Sequence, residues 1–126
     1  MFCSAYQSLN DGAAQWVTMD MFFTDPKGLI LEHRDTIAPY EAQTTSGADM
    51  VGGASVVDGR ADTEATKTLI REYTKQVLQE NAPEKASHFV SDDMIQHAAP
   101  IGAGLKGLIR WLSSEAFGRY EMLLHL

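Results

Sequence analysis

His33 and Asp35 stand two residues apart in the run Leu29–Ala38. Side chains alternate along an extended strand, so these two share a face with Leu29 and Leu31, while Ile30, Glu32 and Arg34 take the other. The first face begins apolar and ends titratable, a pattern expected where a core opens into a pocket. A carboxylate at the rim of an apolar pocket is desolvated, which raises its pKa toward values useful for proton transfer. It can then take a proton from the carbon next to a carbonyl and return one to an alkoxide. An aspartate at a strand end also serves simply to cap a turn or to accept backbone amides. His97 comes from a separate segment. Two histidines and a carboxylate can relay protons, bind a polar substrate group or ligate zinc, although no further metal motif accompanies them. A satisfied, half-buried imidazole is the plainer alternative for each histidine. Asp20, on the preceding run, either joins this face or pairs with a basic residue. His88 and His125 have no motif context and read as structural.

The elements that must position these groups fall into three unlike stretches. Residues 1–40 read as strands. Met1–Leu9 and Ala13–Thr24 are rich in aromatic and β-branched residues, and Asn10-Asp11-Gly12 between them is a hairpin signal. Asp25-Pro26-Lys27-Gly28 fits a type I turn, with Pro second and Gly fourth, and Leu29–Ala38 closes a three-stranded meander. Residues 41–61 carry Gly47, Gly52, Gly53 and Gly59 among Ser, Thr and Ala without sustained period, and read as a linker over the surface, poorly ordered or extended across about 42–60. Residues 62–126 read as helices with two strands. Asp62 or Thr63 is the expected N-cap of a helix carrying Leu69, Ile70, Tyr73, Val77 and Leu78. Pro83 opens a short helix with Ala86, Phe89 and Val90 inward. Met94–His97 reads as a short strand, Gly104–Ala116 as a helix with Leu105, Leu108, Ile109 and Leu112 on one face beside Trp111, and Arg119–Leu126 as a strand.

At 126 residues the chain is sized for one domain and one modest core. Its formal net charge of −7, with ten Lys and Arg scattered along the chain, argues against a nucleic-acid partner, which calls for a basic stripe. Cys3 is the lone cysteine, which rules out an intrachain disulfide and a multi-cysteine metal site. No apolar run approaches the roughly 20 residues of a membrane span, and no basic-then-apolar start suggests a signal peptide. The expected location is cytoplasmic, with no membrane partner.

Two segments resemble the signatures of the SnoaL-like polyketide cyclase family. Asp92–Leu112, reading DDMIQHAAPIGAGLKGLIRWL, is similar to a strand ending in Gln-His-Asn-Pro followed by Asp-Gly and an amphipathic helix; Ile95, Gln96, His97, Gly104, Leu105, Gly107 and Leu108 match. Asp20–Ile37, reading DMFFTDPKGLILEHRDTI, is similar to an Asp-Ile-Phe-Arg strand, a turn and Ile-Val-Glu-His-Trp-Asp; Asp20, Phe22, Gly28, Ile30, Glu32, His33 and Asp35 match. The order is reversed relative to the family, as in a circular permutation or a piece cut from tandem domains. Joining residue 126 to residue 1 would restore one domain over 1–126, with 41–61 bridging the old termini. That arrangement predicts antiparallel pairing of residues 1–9 with 119–126, within a chain or between swapped ones.

The resemblance implies an α+β fold of the nuclear transport factor 2-like type, a cystatin-like roll in which a cone-shaped, curved antiparallel sheet wraps around helices. It implies a pocket between sheet and helices for a small, largely apolar, carbonyl-bearing ligand. Asp35 matches the acidic residue that acts as general acid/base in the family's aldol ring closure. His33 and His97 are the expected catalytic companions, and Asp20, Tyr6 and Trp16 the expected substrate contacts. Such chemistry requires no cofactor and no metal. A non-catalytic ligand-binding or assembly module of the same fold is the competing expectation. The chain departs from the family at Arg34 (for Trp), Ala98-Ala99 with Pro100 one place late (for Asn-Pro), Ala103 (for Asp) and Phe23 (for Arg). These changes weaken the cyclase expectation more than the fold. Arg34-Asp35 resembles the epoxide hydrolase branch, but the Arg-x-Asp that branch needs on a nearby strand is missing. Trp16, Phe22, Phe23 and Trp111 offer more aromatic surface than one small core absorbs, which predicts a homodimer, intertwined if the fold closes by swapping.

Overall fold

The computed structural model describes residues 2–9, 11–53, 56 and 59–119. The protein is α+β, with a three-stranded antiparallel open sheet and a few helices. Two compact units divide it: Met1–Gln43 with Asp49–Gly53, and Thr44–Ala48 with Ala54–Leu126.

The first unit is the sheet. Its strands β1 (Phe2–Leu9), β2 (Ala14–Thr24) and β3 (Ile30–Pro39) run in the order β1-β2-β3. Both turns form as their residues demand. At the first, Asp11 and Gly12 take φ of +53° and +94°, the left-handed conformation that a tight hairpin requires. At the second, the Gly28 amide donates to the Asp25 carbonyl at 3.0 Å. The Asp25 carboxylate accepts from the amides of Lys27 (2.9 Å) and Leu29 (2.8 Å), an aspartate holding its own turn. The register runs Trp16↔Pro39, Thr18↔Ile37, Asp20↔Asp35 and Phe22↔His33, with one irregularity beside Phe23 and Thr24.

The second unit holds the core. Helix α1 (Thr63–Tyr73) starts at Asp62, whose Oδ1 accepts from the amides of Glu64 (2.9 Å) and Ala65 (3.0 Å). The helix then widens into a π-helical turn, Thr74–Gln79, where Glu80 and Ala82 donate five residues back to Lys75 and Val77. Val77, inside this turn, is fully buried. A 3₁₀ segment, Pro83–His88, opens on its proline, and helix α2 (Gly104–Leu112) follows. Val77, Ala86, Ile101, Leu105, Leu108, Leu112 and Phe117 form the buried apolar core, and Trp111 packs edge-on to Phe117 at 5.1 Å.

Glycines fix how closely the backbone folds around α2. A Cβ on Gly107 would lie 2.1 Å from the carbonyl carbon and oxygen of Gly102. One on Gly104, whose φ is +62°, would lie 2.3 Å from the Asp92 carbonyl oxygen. The Gly102-Ala103-Gly104-Leu105-Lys106-Gly107 run therefore has a packing explanation at all three glycines.

Two expectations are corrected. Met94–His97 is not a strand. Its backbone is engaged elsewhere: the Gly104 amide donates to Met94 O (3.1 Å), and the Ser46 hydroxyl donates to Gln96 O (2.5 Å). Helix α2 ends at Leu112, four residues short of Ala116, where the Ser114 hydroxyl donates to Trp111 O at 2.6 Å and the chain turns. The stretch 42–53, expected as a linker poorly ordered or extended over the surface, has no helix or strand and carries hydrogen bonds of its own. Thr45 donates its amide to Ala99 O (2.9 Å), Thr44 donates its hydroxyl to Ala48 O (2.6 Å), and Asp49 accepts from the amides of Val51 (2.7 Å) and Gly52 (2.9 Å). Val56 is exposed, as a surface segment requires. The proposed partner of β1 at 120–126 and residue Val57 lie outside the described residues.

Candidate functional site

Period-2 geometry and the register assemble a polar array on one face of the sheet. Asp20 stands directly opposite Asp35, and Phe22 directly opposite His33. Tyr40 donates its amide to Gln15 O at 3.1 Å, which continues the register by one step and sets its phase. Asp20–Asp35 and Phe22–His33 are then non-hydrogen-bonded pairs, the positions where cross-strand side chains come closest.

His33 is held from two sides. Its Nε2 lies 2.9 Å from Asp20 Oδ1, and its ring stacks on Phe22 with centroids 4.6 Å apart and planes 14° from parallel. The Thr18 hydroxyl donates to the other Asp20 oxygen, Oδ2, at 3.0 Å. Thr18 is buried, so the hydroxyl that anchors the carboxylate is itself held in place. The Asp20 side chain is 21% exposed and that of His33 44%. An ionised carboxylate only accepts hydrogen bonds. Nε2 of a neutral His33 therefore carries the hydrogen, and Nδ1 keeps the lone pair that can take a proton. Asp35 is exposed.

Of the residues expected from sequence, Asp20, His33, Asp35 and Trp16 share this face. The Trp16 indole donates to Gln7 Oε1 at 2.5 Å, which fixes the ring at the β1 side. Tyr6 pairs with Val17 and so occupies the opposite face, where it meets Tyr40 edge-on at 4.7 Å. His97 belongs to the other unit and sits half-buried in the irregular stretch after Met94. Thr18, Phe22 and Gln7 are the positioning residues that sequence reasoning did not assign to the site. The signal for two of them was there, since Thr18, Asp20 and Phe22 recur at period 2 along β2.

Among the described residues no three His, Cys, Asp or Glu side chains gather where they could hold a metal ion. No described helix is long and apolar enough to cross a membrane. No protein-family model matches the chain, and no curated protein or solved structure does.

Proposed function

We propose that this chain is a SnoaL-like small-molecule-binding domain of the nuclear transport factor 2-like type, permuted in order, that performs cyclase- or isomerase-type enolate chemistry on a carbonyl compound. The observation that carries this reading is the Asp20–Asp35 pair. Like charges directly opposite in a sheet are destabilising, and here they occupy the closest pairing position, beside a histidine already oriented by one of them. Stability alone gives no reason for that arrangement, whereas proton transfer does.

Asp35 is the general acid/base. It removes a proton from the carbon next to a carbonyl, the resulting enolate closes on a second carbonyl of the same molecule, and Asp35 returns the proton to the new alkoxide. His33, held by Asp20 and Phe22, offers Nδ1 to a substrate oxygen or to the shuttled proton. Because Asp35 is exposed, an apolar ligand lying on this face must itself provide the desolvation. No cofactor enters this chemistry, and the setting we propose is cytoplasmic.

The test is turnover of polyketide-like or β-keto substrates by the wild type and by Asp35→Asn, which keeps the shape and removes the proton-transfer group. Turnover should vanish in the variant while ligand affinity changes little. Turnover that persists in Asp35→Asn would remove this residue from the mechanism. The second reading, an assembly or binding module, draws on the sheet's apolar surface: Ile30, Leu31 and Ile37 are 62%, 70% and 64% exposed. It is favoured if no substrate turns over and Asp35→Asn weakens ligand binding.

A further inference from the structure

We propose that β3 is the pairing edge of a homodimer, in which two copies join antiparallel about a two-fold axis through His33. Among the described residues the order β1-β2-β3 makes β3 an edge strand of its sheet, and every residue from Ile30 to Ile37 is exposed. A long edge with exposed Ile30, Leu31 and Ile37 is a template for another strand. The choice of a second copy as that strand rests on the ladder's phase and on two charges.

The Tyr40–Gln15 hydrogen bond fixes the phase. Alternation from it turns the backbone groups of Arg34 and Glu32 toward β2, and those of Ile37, Asp35 and His33 outward. A two-fold antiparallel partner must match outward residues to outward residues, which leaves few registers. Centring on Glu32 opposes Glu32 to itself; centring on Arg34 or Asp35 does the same to those charges. Centring on His33 places Glu32 opposite Arg34 of the second copy, and Arg34 opposite Glu32, both in the close non-hydrogen-bonded positions. In the single chain these two side chains pair with each other, Arg34 Nε to Glu32 Oε1 at 2.6 Å, so the dimer exchanges one arrangement of the same ions for another. The sheet becomes continuous over six strands, with two His33–Asp20 pairs side by side on one face. The inference does not depend on the ligand reading.

The experiment is light scattering coupled to size exclusion over a concentration series, on the wild type, Glu32→Arg, Arg34→Glu and the double reversal. The wild type should dimerise. Each single reversal opposes like charges twice and should weaken the dimer about tenfold or more. The double reversal restores opposite charges and should recover the dimer, which a merely damaged fold would not do. A monomeric wild type overturns the proposal, as does a dimer indifferent to both single reversals.

Discussion

Asp35 carries opposite expectations for stability and for activity. Its carboxylate faces that of Asp20 across the β2–β3 ladder, and Asp20 is already satisfied by His33 and Thr18. Asp35→Asn removes one of two facing charges and should stabilise the fold by about 0.2–0.5 kcal/mol, a value kept small by solvent screening at an exposed position. Urea unfolding at low and high salt measures this. The gain should shrink as salt rises, because the repulsion it relieves is screened. Tyr73 provides a second expectation at the same scale. Burial pushes its phenol above the usual value near 10, and it packs edge-on to Phe89 at 6.0 Å. Only the neutral form is at home in the folded site. The unfolded chain therefore ionises first as pH rises past 10, and stability held below that pH is lost through the alkaline range. Tyr73→Phe should flatten that alkaline loss in melting curves between about pH 9 and 11.

Helix α2 shows local propensity overruled by packing. Alanine is the better helix former by about 1 kcal/mol, so propensity alone expects Gly107→Ala to stabilise the protein. The structure gives the opposite sign. The added Cβ would sit 2.1 Å from the Gly102 backbone, which is not the movable end of a side chain. We expect a loss of about 3 kcal/mol or more, read by denaturant unfolding, and a smaller loss for an alanine at exposed Lys106. The turns behave differently. Asp11-Gly12, Asp25-Pro26-Lys27-Gly28 and Asp62 each act on amides within a few residues, so their sequence signals and their structures agree.

At the scale of the molecule, the two units are stabilised by different means. All seven buried apolar residues among those described belong to the helical unit. Among the residues of the sheet whose burial is described, Thr18 is the buried one, and the strands are joined by cross-strand pairs and backbone bonds. Hydrogen exchange should therefore rank the two. Amides of α2 and of the turn around Val77 should be the slowest, and those of β3, at the edge, should exchange well before them. Protection of β3 equal to that of α2 at low protein concentration would contradict this ranking. Protection that rises with concentration is what edge pairing between copies predicts.

The sequence by itself determined the elements whose causes are local. Three strands, their two turns, the start of α1 and the proline at the head of the 3₁₀ segment were all legible. So was the shared face of His33 and Asp35, because alternation is a property of any strand. Tertiary structure decided the rest. Which carboxylate holds His33 depends on register, and register depends on the Asp25–Gly28 turn and on the irregularity beside Phe23 and Thr24, which side-chain alternation alone does not reveal. Residues 94–97 have strand-like side chains, yet a strand exists only where a neighbour takes its backbone bonds, and here Ser46 and Gly104 take them instead. The 44–48 stretch looked unstructured because Gly, Ser and Thr carry no period. Its order comes from hydroxyl and amide groups that find carbonyls fifty residues along the chain, a distance over which no local pattern can speak.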